Sequence, residues 1–241
     1  MLRRIAAIAA LLLAPVALAA EQGVPVMQVL QERGYFVAED SAAPVPKGET
    51  NPDEAANAPI ALTVRGEELG KLLESAGWVH NGKGRVPLYT VGFRSCPDCV
   101  AQHEGAYGKL EAAGADIRKI LYARADSADG KPRSKPGERA MIAELWKTRD
   151  YALYERWYET DPATFYETEP LPPDADSDPA RAAYVQKSRD FIKTLNELLA
   201  ANGVETFVPA IFWQENGVWQ VYIGYDPNTF DSLILPRIAG A

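Results

Sequence analysis

Cysteine is nearly absent from this chain: there are two in 241 residues, Cys96 and Cys99. Two cysteines make no disulfide framework, and a bridge across so short a loop removes little chain entropy, because that stabilisation grows with loop length. Histidine is equally scarce, and c-type haem attachment, which needs one directly after the second cysteine, is excluded by Val100. Lysine and arginine total 25 against 33 acidic residues, a net charge of −8, and no basic stripe interleaved with aromatics occurs. That balance argues against nucleic acid or an anionic membrane surface as a partner. Beyond the first twenty residues no apolar run approaches the length of a membrane span, and no internal repeat, G-x-G-x-x-G or P-loop pattern is found.

The N-terminus carries what the rest lacks. Arg3 and Arg4 precede an apolar run at 5–13, and Ala17-Leu18-Ala19 supplies an A-x-A pattern, the layout of an export signal spanning 1–19. Pro15 breaks the run, which is too short to span a bilayer, and no cysteine follows it to accept a lipid anchor. The expected mature chain begins at Ala20, has no membrane anchor and lies in a compartment where disulfides form. It keeps 222 residues, and losing two arginines takes its net charge from −8 to −10. Its share of apolar residues is 47% over the full chain, enough for an ordinary core without staples.

Periodicity divides that mature chain. A helical stripe (Val26, Val29, Leu30) and a short apolar run at 35–38 come first. Residues 40–59, rich in Ala, Pro, Glu, Asn and Gly, read as a linker, so 20–62 forms a short N-terminal segment and 63–241 the main domain. A helix is expected over 62–76, capped by Gly77, then a hairpin through Asn81-Gly82-Lys83-Gly84 into a strand at 86–93. A helix opening at the cysteines ends near Gly114, and 117–125 alternates as a strand. Aromatic-rich helices at 138–146 and 150–160, with Tyr151, Tyr154, Trp157 and Tyr158, read as the core of an insert, and acidic 161–178 as a surface loop. Asp178-Pro179 reads as an N-cap with proline at the first helical position, opening a long helix that Asn202-Gly203 stops. Strands at 207–214 and 218–224 around Asn216-Gly217 and a closing helix at 227–238 complete the chain. This order predicts an α/β, thioredoxin-like fold with a helical insert at about 130–202.

Cys96-Pro97-Asp98-Cys99 follows a strand and opens a helix. Unpaired N–H groups and the helix dipole stabilise a thiolate at that place, and Pro97 costs nothing in the first turn because its N–H would have no intrahelical partner. Cys96 is therefore the expected attacking thiol and Cys99 the resolving one. Asp98 should oppose the thiolate and Arg94 favour it. Against this stand an inert structural pair and a metal site that would add His103, four residues beyond Cys99, and lack a fourth ligand. His80 and His103 read as packing or surface histidines rather than bases. No metal or organic cofactor is implied.

Trp78, the Asn81-Gly82-Lys83 turn, C-P-x-C at 96–99 and Val208-Pro209-Ala210-Ile211 ahead of the last hairpin together resemble periplasmic thiol:disulfide isomerases of the DsbC/DsbG type, DsbG more closely. The resemblance covers about 67–238. It implies an exposed Cys96, a buried Cys99, and a cis Pro209 that brings the Val208 backbone beside Cys96 to pair with an extended substrate. It also implies a periplasmic location, exported proteins with thiols or disulfides as substrates, isomerase or reductase activity, and an inner-membrane electron donor of the DsbD type. Three positions depart from the pattern. The N-terminal segment is short for a dimerisation domain, which predicts a monomer or weak dimer. Val208 stands where threonine is typical, as in the oxidase DsbA, so an oxidase stays open beside the isomerase, as does a non-enzymatic binding or metal-chaperone module. Thr90 occupies the place, six residues before Cys96, where such folds often keep a buried carboxylate.

Overall fold

The computed structural model describes residues 58–205 and 207–240, without the side chains of Pro162 and Ala163. The export signal, the Ala20 start, the 24–33 helix, the 35–38 run and nearly all of the 40–59 linker lie outside the described residues. The elements are β1 (Ile60–Leu62), α1 (Gly66–Ser75), β2 (Val86–Gly92), α2 (Pro97–Ala112), β3 (Ala115–Leu121), α3 (Pro136–Thr148), α4 (Tyr151–Glu159), α5 (Pro162–Thr168), α6 (Pro179–Ala200), β4 (Ala210–Glu215), β5 (Val218–Ile223), and a closing helical run of α7 (Pro227–Thr229), a π-helical turn (Phe230–Ile234) and α8 (Leu235–Ala239).

The strands form one sheet in the order β1-β5-β4-β2-β3. β2 and β3 run parallel, joined through α2, while β4 is antiparallel to both β2 and β5. A strand–helix–strand half followed by a hairpin half, with helices on both faces, is the thioredoxin-like fold. Alternation along each strand sorts the core. Tyr89, Val91, Ile120, Phe212 and Val221 face α1 and the C-terminal half of α6, where Phe191, Leu195 and Leu199 are buried. Leu88, Ile117, Ile211, Trp213 and Tyr222 face α2 and the closing run. A third core, built from α3, α4, α5 and the start of α6, surrounds Met141, Trp157 and Phe165.

Local signals hold where the chemistry is local. Asn216 and Gly217 both take positive φ, 52° and 78°, as a two-residue hairpin turn with the strands' twist requires. Asp178 accepts a hydrogen bond from the Ala180 N–H, and Pro179 sits in the first turn of α6.

Differences arise where pairing is long-range. Residues 60–62 form edge strand β1 on β5 rather than the start of a helix. The 81–84 turn makes no hairpin: Val79 forms an isolated antiparallel bridge to Lys119 on the outer edge of β3, and β2 pairs with β3 and β4 instead. Gly77 does not cap α1: the C-cap is Ala76 in extended conformation, Gly77 has no positive φ, and its bare Cα instead makes room for the ring of Trp146. The 117–125 strand starts two residues earlier and stops at Leu121. Acidic 161–178 contains helix α5, whose Phe165 is fully buried against the third core. The closing helix at 227–238 is broken by the π-helical turn, after which Pro236 has no N–H to donate.

Leu195 is fully buried between α6 and the sheet. Leu195→Ala should therefore cost ~2–5 kcal/mol, seen as a lower urea midpoint with an unchanged slope.

Candidate functional site

Both cysteines sit at the N-terminus of α2, just past the end of β2. Cys96 is the N-cap, with extended backbone (φ −86°, ψ 117°), and its sulfur accepts the Cys99 N–H at 3.3 Å. Pro97 occupies the first turn. The sulfur of Cys96 thereby does what a serine or aspartate oxygen does at other helix starts, and it does so best as a thiolate. Its pKa is lowered first by the hydrogen bond from the Cys99 thiol and then by the Cys99 N–H, while burial and the charge of Asp98 oppose. Cys99 moves the opposite way, far above an ordinary thiol, because it shares its proton with Cys96 and is buried. That asymmetry agrees with attack by Cys96 and resolution by Cys99. The exposed Cys96 that the resemblance implies is not found: Cys96 is buried, 6% exposed beside Cys99 at 4%, because its sulfur is covered by the Val208 carbonyl and the Cys99 N–H.

The Val208-Pro209 peptide is cis, and Cys96 Sγ lies 3.7 Å from the Val208 carbonyl oxygen. This loop, which precedes β4, is held from behind by the Gly224 N–H donating to Pro209 O at 2.7 Å. Beside it Phe207 is 58% exposed, the most exposed large apolar side chain among the described residues.

The remaining predicted residues divide. Asp98 is exposed on the first turn of α2 and raises the Cys96 pKa, in the direction expected. Arg94 turns away from the sulfurs towards the insert: its Nε donates to Trp157 O at 3.3 Å and its guanidinium lies over the Tyr158 ring at 4.8 Å. His103 is engaged with tyrosines, its Nδ1 3.0 Å from Tyr154 Oη, and burial lowers its pKa to about 4, so it is neutral at ordinary pH. His80 pairs with Asp116 at 2.9 Å. Among the described residues no group of three His, Cys, Asp or Glu is placed to hold a metal ion. Trp78 has the guanidiniums of Arg118 and Arg149 over its ring, at 4.8 and 4.2 Å, and its Nε1 donates to Glu74 O.

Two residues that the sequence reading passed over complete the site. Gly92, the last residue of β2, lies directly behind Cys99, and a Cβ there would stand 2.7 Å from Cys99 Sγ. Lys119 pairs in register with Thr90 across β2 and β3, is 3% exposed and points under α2. Its Nζ lies 4.2 Å from the Tyr107 ring centroid and 4.5 Å from that of Tyr154. Burial lowers its pKa to about 7, against the pull of Glu111, Glu155 and Glu159. Thr90, in the place of the usual carboxylate, accepts the Tyr107 hydroxyl at 3.0 Å. Cys99, Gln102, Thr90 and Lys119 all line one cavity of about 10 Å³, room for a single water. Gln102 Nε2, buried there, has no partner among the described residues.

Gly92→Ala must push the Cys99 sulfur aside. A mixed disulfide formed on Cys96 should then persist ~10- to 100-fold longer than in the parent, since misplacement of about 1 Å carries that penalty; quenched mass spectrometry reads the lifetime. Lys119 gives a second expectation. Its folded pKa is depressed to about 7 from 10.5, so between those values the unfolded chain binds the extra proton and stability rises with pH. Urea unfolding from pH 7 to 10 should show that rise, and Lys119→Met should flatten it.

No family model and no curated protein matches this chain. Among solved structures it is similar to a periplasmic thioredoxin-like protein from Salmonella enterica serovar Typhimurium, at 16% identity and a TM-score of 0.41, over 71% of this chain and 97% of that one.

Proposed function

We propose that this chain is a thiol:disulfide oxidoreductase that reduces or isomerises disulfides of exported proteins in the periplasm. One observation carries the reading: the sulfur of Cys96 is at once the N-cap of α2, the group with the depressed pKa, and the neighbour of the Val208 carbonyl at the cis-proline loop. An inert structural pair would need none of these. Among the described residues no helix is long and apolar enough to cross a membrane.

In the first step the Cys96 thiolate attacks one sulfur of a substrate disulfide. The substrate S–S bond breaks, its other sulfur leaves as a thiolate and takes a proton from water, and a Cys96–substrate mixed disulfide remains. An extended substrate segment lies along the Val208 backbone, with Phe207 offering it an apolar contact. Two exits follow. Cys99 can attack Cys96 Sγ, its proton passing across the shared cavity to neutral Lys119; the substrate sulfur leaves as a thiolate, the substrate has gained two electrons and the protein holds a Cys96–Cys99 disulfide. Alternatively a second substrate thiol displaces Cys96, and the substrate is isomerised with no net electron transfer. The first exit requires an external dithiol donor to restore the enzyme, by resemblance an inner-membrane protein of the DsbD type.

The direction is read from the thiol state in the cell by alkylation and mass shift: dithiol for a reductase or isomerase, disulfide for an oxidase of the DsbA kind. Cys96→Ser should abolish exchange with disulfide substrates, whereas Cys99→Ser should accumulate mixed disulfides on Cys96. Rapid alkylation of Cys99 in preference to Cys96 would reverse the roles, and an unaltered exchange rate in Cys96→Ser would end the proposal.

A further inference from the structure

We infer that Glu138, the buried carboxylate at the start of the helical insert, is a positioning residue that couples the insert to the reactivity of Cys96. This rests on the reading of Cys96 as the attacking thiol. Glu138 occupies the third position of α3, 3% exposed, and makes no ion pair with any described residue. Its carboxylate accepts the N–H of Lys135, the N-cap residue of α3, and a bond from the Ser134 side chain, which is one half of a capping box. A cap of this sort accounts for a glutamate. It does not account for what the same carboxylate does on its other side, where it accepts the N–H of Ser95, with Ser95 Oγ at 3.5 Å.

Ser95 is the residue before the nucleophile. The turn that aims Cys96 into position is thus gripped by an acceptor from a different part of the chain. Insert and active-site turn meet again where Arg94 lies over Tyr158 and donates to Trp157 O. The groups facing Glu138 are Arg124 beyond β3, Ser134 and Lys135 in the preceding loop, Ser95 from the active-site turn, Tyr122 at the end of the sheet, and Tyr158 and Tyr166 from the insert. Tyr122 senses both sides: its hydroxyl is pushed up by burial and further by Cys99, Cys96 and Glu138. Carboxylate and thiolate therefore share one poorly hydrated neighbourhood. Burial raises the pKa of the Glu138 carboxyl itself, and a negative charge held there, one residue removed from Cys96 through Ser95, would oppose a thiolate on Cys96 as the charge of Asp98 does.

Glutamine separates the two roles of Glu138, because it still closes a capping box and accepts the Ser95 N–H but carries no charge. In Glu138→Gln the midpoint of Cys96 alkylation against pH should fall by ~0.5–1 unit, a roughly three- to tenfold gain in thiolate well below the midpoint. A purely structural role would lower the urea midpoint and leave that pH profile unmoved. An alkylation profile superimposable on the parent's, in a folded variant, overturns the inference. Should Glu138→Gln fail to fold, carbon-13 titration of the Glu138 carboxyl in the parent and in Cys96→Ser reads the same coupling from the other end. Its signal should move across the pH range in which Cys96 ionises and stay flat there in Cys96→Ser, and a signal flat over that range in both overturns the inference. Both readouts use the thiol and the carboxyl alone, so a protein that shows the coupling yet exchanges no substrate disulfide sinks the proposed function and leaves Glu138 where it stands.

Discussion

The hydrogen bond from the Cys99 N–H to Cys96 Sγ, 3.3 Å long, is the contact on which the chemistry of this fold depends. It makes one sulfur the cap of a sixteen-residue helix, so helix stability and thiolate stability become the same quantity. The bond needs Cys99 to lie directly under Cys96. That in turn needs β2 to end on a residue with no side chain, because any Cβ at Gly92 would occupy the place of the Cys99 sulfur. Parallel pairing with β3 fixes where Gly92 falls, opposite Leu121. Sheet register, a bare glycine and a sulfur cap form one chain of cause.

A thiol as buried as Cys99 cannot lose its proton to bulk water directly, so the nature of the cavity behind it matters. Usually a carboxylate would stand there. Thr90 takes that position instead and spends its oxygen on Tyr107. The basic group lining the cavity is Lys119, its ammonium set against the rings of Tyr107 and Tyr154. Aromatic faces compensate a cation only partly for lost water, which is why the amine rather than the ammonium becomes accessible near neutrality. A base of this polarity differs from a carboxylate in one respect: it becomes charged when it accepts the proton, and the charge it gains is opposite to that of a thiolate nearby.

Much of this was legible in the residues. Cys96, Pro97 and Cys99 declare themselves through spacing and context, since cap chemistry is local, whereas Pro209 was marked only by the resemblance that Val208-Pro209-Ala210-Ile211 carries, because its meeting with Cys96 spans 112 residues. The misread parts are those whose meaning comes from distant partners. Val79 looks like a hairpin strand until Lys119 is seen to pair with it. Residues 162–168 look like an acidic loop because only Phe165 betrays the buried face. Lys119 did leave a trace, for it interrupts the inward-facing series Ile117, Lys119, Leu121, and a lysine at an inward position of a strand is a buried lysine or a sign of wrong register. Gly92 and Glu138 left none, because nothing in a strand-ending glycine or a first-turn glutamate says what will be packed against it.

The insert is more than a decoration on the α/β frame. Its long helix α6 lends Phe191, Leu195 and Leu199 to the sheet's own core and Val185 to the insert's, so the two cores share one rigid rod. Arg94, Ser95 and His103 each contact it, through Trp157, Glu138 and Tyr154 respectively. Three side chains flanking the dithiol therefore find their partners outside the strand–helix–strand unit that carries the cysteines. An active-site turn held from one side only would be free to choose among rotamers; held from both, Cys96 has one sulfur position, and the cost of moving it is spread over two packed cores.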